Sequence, residues 1–335
     1  MKRGPRPIIG VTMGDAAGVG AEIIVKALAQ NEVWNICRPV VIGDLDVIAD
    51  ANERTHTRLR LHGVSQIEDA KFATGSVEVL DLRNINLKEL IMGKPQAMAG
   101  KASFECVRKA VDLALNHTID AITTAPISKE ALNLAGYHYP GHTEILADLT
   151  GTSEYAMMFF AGSLRVILVT IHMSLIKACA AINKHVVFKT IRLGEQTLRR
   201  IGFETPRIAV AGLNPHASEG GLFGDEEEKE ISPAVADAKR IGLDVSGPYP
   251  ADTVYYRAGN GEFDLVVAMY HDQGCIPIKL VGFNVGVNVT VGLPIVRTSP
   301  DHGTAYRRAG LRLGTANPQS LMEALKLASK LADRR

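Results

Sequence analysis

The sequence predicts an α/β protein built on a largely parallel sheet with helices on both faces. Short β-branched runs alternate with helix-like segments along most of the chain, which is the pattern of parallel strands joined by helical crossovers. The 335 residues, 46% of them hydrophobic and 22% charged, suffice for one large or two medium cores. No repeat of fixed period, low-complexity tract or Gly/Ser linker breaks the pattern, so two lobes would share an intimate boundary rather than a tether.

Taken in order, "PIIGVTM" (7–13) predicts a strand and "AEIIVKALAQ" (21–30) the helix after it. "PVVIGD" (39–44) and "LDVIADAN" (45–52) repeat the unit. The long amphipathic segment "KASFECVRKAVDLALNH" (101–117) leads into the strand "IDAITTAP" (119–126). The middle of the chain supplies the strands "LRVILVTIH" (164–172), "RIAVAGLNPH" (207–216) and "FDLVVAMYH" (263–271), and "SLMEALKLASKLADRR" (320–335) reads as a closing amphipathic helix.

Composition narrows the function. The 37 Lys+Arg and 36 Asp+Glu are spread along the chain for a formal charge of +1, so no basic tract points to nucleic acid or an anionic membrane, and a small-molecule partner is expected. Cys37, Cys106, Cys179 and Cys275 form no CxxC pair, which argues against a disulfide framework and a thiolate zinc site and for a reducing, cytoplasmic setting. No run reaches membrane-spanning length, and "MKRGPRPIIGVTMGD" lacks the apolar stretch of an export signal.

Three of the ten histidines stand at the ends of expected strands: His172, His216 and His271. Ligands of open α/β sheets bind beyond the carboxyl ends of strands, and three imidazoles there suit a catalytic divalent ion with open coordination positions. A histidine alone at a strand end is more often a hydrogen-bonded structural residue than a ligand; the coincidence of three leaves both readings standing. In "YPGHTEILADLTG", Thr143 or a neighbour caps a helix whose first N–H groups either face an anion or are simply capped. Lys279, Asn288 and Arg297 add carboxylate or phosphate ligands. "MGDAAGVGAE" is glycine-rich but spells neither G-x-G-x-x-G nor a Walker loop. The segment His302, Gly303, Thr304 and Ala305, followed by Asn317 and Pro318, forms a compact loop able to lie against an adenosine, and on residue chemistry alone also reads as a plain glycine-rich connection.

"TMGDAAGVGAE", "GHTE", "GLNPHASEGGLFGDEE", "PADTV", "AMYHDQG" and "GVNVTVGLPIVRTSPDHGTA" together resemble the 4-hydroxythreonine-4-phosphate dehydrogenase family, nearly from end to end. The resemblance implies a two-lobed α/β/α fold of isocitrate/isopropylmalate dehydrogenase type with the active site in the cleft between lobes. It divides the chain into 1–129 plus 281–335, carrying the cofactor loop, and 130–280, carrying the metal, substrate and dimerisation surfaces. It implies a homodimer with a shared active site, and NAD plus a divalent ion (Zn, Mg, Co or Mn). His172, His216 and His271 become metal ligands; His142, Thr143, Lys279, Asn288 and Arg297 become substrate contacts; Lys279, Asp272 and Asp252 become the catalytic set. His302, Gly303, Thr304, Ala305 and Asn317 become the cofactor loop, similar to the "HGSAPDIAG" type of segment with which isopropylmalate dehydrogenases hold adenosine.

The implied reaction is oxidation, with decarboxylation, at C3 of a 4-phosphorylated hydroxy acid. "HDQGCIPIKLVGF", with its proline two residues before the lysine, resembles the branch acting on D-threonate or D-erythronate 4-phosphate; the alternative is 4-phosphohydroxy-L-threonine in pyridoxal phosphate synthesis. A rival outside the family is a metal-dependent hydrolase or lyase of a phosphorylated metabolite. Two departures stand out: Ala16 and Ala21 replace prolines usual in the opening turn, and Arg307, Arg308 and Arg312 make the cofactor loop more basic, which leaves NADP open beside NAD.

Overall fold

A computed structural model describes residues 6–73 and 75–333. The first five residues of the expected non-signal start and the last two of the closing helix lie outside these. In chain order the strands are β1 (Ile8–Thr12), β2 (Arg38–Gly43), β3 (Arg60–Val64), β4 (Ser76–Asp81), β5 (Ala121–Thr124) and β6 (Ala156–Ala161). They continue with β7 (Leu164–Leu168), β8 (Ile208–Ala211), β9 (Val245–Tyr249), β10 (Leu265–Ala268), β11 (Val287–Val291) and β12 (Arg297–Pro300). The chain divides into two compact units, Met1–Thr152 with Leu293–Arg335, and Ser153–Gly292. Residues 130–152 therefore group with the first unit and 281–292 with the second, where the sequence reading set its boundaries at 129/130 and 280/281.

The first unit has strand order β3-β4-β2-β1-β5-β12, parallel throughout. Its central strands are buried along nearly their whole length, as strands covered on both faces must be. Each crossover helix forms where the sequence places an apolar stripe. In the helix Ala97–Leu115, Ala99, Ala102, Cys106, Val107, Ala110 and Ala114 recur at three- and four-residue steps and are buried. Gly100 lets that helix approach the next, because a Cβ there would lie 2.0 Å from the Ala131 carbonyl oxygen. Asp44 starts the helix Leu45–Arg54 by accepting the amides of Asp46 and Val47, an ordinary carboxylate cap.

The second unit has order β11-β6-β7-β10-β8-β9. The strands β7, β10, β8 and β9 are parallel, but β11 pairs with β6, and β6 with β7, in antiparallel fashion. These two pairings depart from the otherwise parallel pattern for a local reason. Only Gly162 and Ser163 separate β6 from β7, Gly162 has φ 60°, and a two-residue turn of that hand makes a hairpin. A core of Met157, Phe159, Val166, Leu168, Val266, Ala268, Cys275 and Ile278 closes one face. No described helix is long and apolar enough to cross a membrane.

Candidate functional site

In the first unit the chain builds an anion cradle from two distant segments. The helix His142–Leu149 has Gly141 at its cap position. Thr143, the second residue of the helix, is buried, and the cap falls to its neighbour Gly141. The start of a helix carries the positive end of its dipole. His142 is half-buried, yet its Nε2 is fully buried with no hydrogen-bond partner. Burial first, then the positive charge of Arg297, holds its pKa well below 6.5, so the ring stays neutral. Arg297, at the start of β12, is 2% exposed. Its Nε and Nη2 donate to Thr124 Oγ1 at 3.2 and 2.7 Å, across the β5–β12 pairing that matches Arg297 with Ile122. Burial lowers the guanidinium pKa to about 9, with Glu144 acting the other way. A buried cation beside a neutral imidazole at a helix start suits a phosphate or carboxylate.

The second unit brings the three histidines to one end of three neighbouring strands. His172 follows β7, His271 begins the helix His271–Gly282 after β10, and His216 lies in the turn Pro215–Glu219 after β8, with β7, β10 and β8 side by side. The rings of His172 and His271 have centroids 6.0 Å apart, a spacing two imidazoles can hold around one ion with bonds of about 2.0–2.1 Å. Asp272 Oδ1 sits 2.7 Å from His271 Nδ1, the arrangement that fixes a ligating imidazole. Among the described residues, however, no three His, Cys, Asp or Glu side chains are grouped closely enough to hold a metal. The pair fits a divalent ion; His216 does not stand with it as a ready third ligand.

Residues that sequence reasoning missed brace this edge. Gln273 accepts the Met269 amide at 2.6 Å and donates to the Gly212 carbonyl at 2.8 Å, tying the His271 turn to the His216 turn. Buried Glu227 accepts the amides of Leu213 and Asn214, each at 2.7 Å, and Asn214 Nδ2 at 2.9 Å. The turn they support is strained: His216, Ala217, Ser218 and Glu219 all have left-handed backbone, φ 46–68°, which non-glycine residues hold only when their surroundings impose it. The one advance signal was the glycine-rich string itself.

The remaining expected residues are distributed as follows. Asp272 bonds His271, and Lys279 lies seven residues further along the same helix, about 10 Å at helical rise. Asp252 is exposed near the start of the helix Ala251–Gly259. Asn288, on β11, is 9% exposed with its Oδ1 buried and unpartnered. Tyr255, unforeseen, has a buried unpartnered hydroxyl whose pKa is pushed up by burial and by Tyr270 and Cys275.

The expected cofactor loop belongs to the first unit. Thr304 O accepts the Val19 amide at 3.0 Å, and Tyr306 Oη donates to buried Asp15 Oδ2 at 2.7 Å. The far end is held by Glu22, which accepts the amides of Gly314 (3.1 Å) and Ala316 (2.6 Å), while Lys26 Nζ donates to both of their carbonyls. Asn317 is exposed, and its Oδ1 accepts the Gln319 amide at 3.0 Å. The glycine-rich opening turn is therefore a brace for this loop. His302 Nε2 is buried without a partner and Gly303 has open space where a side chain would stand, so the loop fits a planar hydrogen-bonding group laid against it.

A family profile described as "Pyridoxal phosphate biosynthetic protein PdxA" matches residues 35–328. The chain is 52% identical to a D-threonate 4-phosphate dehydrogenase of Cupriavidus necator over 98% of both chains. It is 47% identical to a 4-hydroxythreonine-4-phosphate dehydrogenase of Desulforapulum autotrophicum over 97% of this chain and 95% of that one. Among solved structures, a 4-hydroxythreonine-4-phosphate dehydrogenase from Burkholderia phymatum superposes with a TM-score of 0.85 at 50% identity, covering 99% of this chain and 100% of that one. A β-decarboxylating dehydrogenase of Thermococcus kodakarensis, 12% identical with a TM-score of 0.52 over 96% of this chain and 81% of that one, shares the fold.

Proposed function

The chain belongs to the PdxA family, and on that premise we propose that it oxidises a 4-phosphorylated hydroxy acid at C3 with loss of carbon dioxide, the favoured substrate being D-threonate or D-erythronate 4-phosphate. The observation that carries the substrate class is buried Arg297 beside a neutral His142 at a helix start. That cradle would take the phosphate or carboxylate, a remote contact that orients the reacting carbon. The D-threonate assignment rests on the Cupriavidus relative, and on Pro277 standing two residues before Lys279.

NAD, with NADP as the alternative, would lie on His302, Gly303, Thr304, Ala305 and Asn317. A divalent ion would be held by His172 and His271, with His216 completing the set once its turn moves toward them, and would supply Lewis-acid polarisation of the substrate oxygens. Within the protein itself, Lys279 is the group assigned to receive the C3 hydroxyl proton; a nicotinamide held on the loop would supply the hydride acceptor for C3. The resulting 3-keto acid breaks its C1–C2 bond to release carbon dioxide, and a proton returns to C2. Asp272 keeps the His271 ring in place. Asn288 offers its unpartnered buried oxygen to a substrate hydroxyl.

The test is nicotinamide reduction with Mg, Mn, Co or Zn, offering D-threonate 4-phosphate, D-erythronate 4-phosphate and 4-phosphohydroxy-L-threonine side by side. Preference for either sugar-acid ester is the expected result. Preference for the amino acid would move the protein to the pyridoxal branch, and turnover without any nicotinamide would favour the hydrolase reading instead.

A further inference from the structure

The segment from His302 to Asn317 contains no carboxylate, but it contains Arg307, Arg308 and Arg312. A dinucleotide fold that selects the free ribose 2′-hydroxyl places an acid there, whereas a nearby arginine accommodates a 2′-phosphate. The "HGSAPDIAG" type of segment has an aspartate at the position where "HGTAYRRAG" has Arg307.

The three arginines are not equivalent in the structure. Arg308 Nη1 donates to the Thr315 carbonyl at 2.6 Å and is spent on closing the loop. Arg307 and Arg312 are exposed, and among the described residues no hydrogen bond or ion pair engages either side chain. The backbone beneath them is fixed: the Arg312 amide donates to the Arg308 carbonyl at 2.8 Å, and its own carbonyl accepts Thr315 Oγ1 at 2.6 Å. Of the acids near this segment, Asp15 bonds Tyr306, Glu22 accepts the backbone amides of Gly314 and Ala316, and Asp50, beside Leu313 and Gly314, pairs with Arg54. Two uncommitted guanidinium groups on a braced loop suit a phosphate monoester.

We propose that Arg307, supported by Arg312, forms a 2′-phosphate clamp, so that this chain takes NADP at least as well as NAD. This rests on the cofactor loop assigned above. The experiment is calorimetric titration of the purified protein with 2′,5′-ADP and with 5′-AMP, which differ only in the 2′-phosphate. The proposal expects 2′,5′-ADP to bind about tenfold or more tightly, the worth of one charge-assisted hydrogen bond, with the margin shrinking as salt is raised. Arg307→Ala should remove most of that margin, and Arg312→Ala part of it. Arg307→Asp should reverse it and shift the NADP-to-NAD ratio of kcat/KM in the same direction. Equal or weaker binding of 2′,5′-ADP, or a margin untouched by Arg307→Ala, overturns the clamp while leaving the cofactor loop in place. Failure of both nucleotides, together with NAD itself, to bind would overturn the loop assignment and the clamp with it.

Discussion

At the scale of the residue, His142 yields a prediction whose sign follows from its burial. Its folded pKa lies well below 6.5 because burial and Arg297 oppose the charged form. The unfolded chain therefore binds a proton that the folded chain refuses, and stability falls as pH drops through about 6.5. One such group contributes a slope of at most about 1.4 kcal/mol per pH unit. His142→Gln should flatten the melting temperature between about pH 6.5 and 5 relative to the unsubstituted protein; an unchanged acid slope would mean that the ring is solvated. The histidines His172, His216 and His271 were legible in the sequence because a polar residue ending an apolar run is a local signal. Gln273, Glu227, Glu22 and Asp15 were not. Their bonds reach backbone between 2 and 294 residues away, and for most of these no spacing rule announces a carboxylate that serves another segment's amides.

At the scale of the element, the turn Pro215–Glu219 stores strain that Glu227 counters. Four successive left-handed residues cost of order 1–3 kcal/mol each, and Glu227 holds the chain entering them through three accepted bonds. Glu227→Gln keeps the shape but puts a donor group against amide donors. The expected loss is about 1–3 kcal/mol in denaturant unfolding, with weaker retention of Zn or Co on dialysis because His216 loses its support; a variant with wild-type stability and metal content would show that the turn holds itself. Most crossover elements were legible, since burial on both faces forces apolar strands and striped helices. The antiparallel β6–β7 hairpin has its signal in Gly162-Ser163, but a two-residue turn is faint amid βα alternation.

At the scale of the whole molecule, the helix His271–Gly282 combines a packed inner side with an exposed apolar one. Its inner side packs Gly274, Cys275 and Ile278 into the core, and it carries His271 and Lys279, yet Ile276, Leu280 and Val281 on it, and Phe283 just after it, are 65–85% exposed. Leu175 and Ile176, on the helix Leu175–Ala181 just after His172, are 58% and 85% exposed. Exposed apolar residues of this kind mark an interaction surface, and we propose a second copy of this chain, about a twofold axis, as its occupant. Pro277 contributes by removing a helix amide donor in mid-helix, which frees the Gln273 carbonyl one turn before it. Leu280→Asp places a charge that a dimer would have to bury at a cost of several kcal/mol but that a monomer leaves in water. Sedimentation equilibrium should therefore show a dimer for the unsubstituted chain and a monomer for Leu280→Asp, with circular dichroism unchanged. Turnover should fall with dimer content on dilution. A Leu280→Asp protein that stays dimeric, or a monomeric one with full turnover, would separate this surface from catalysis and return His172 and His271 to service within one chain.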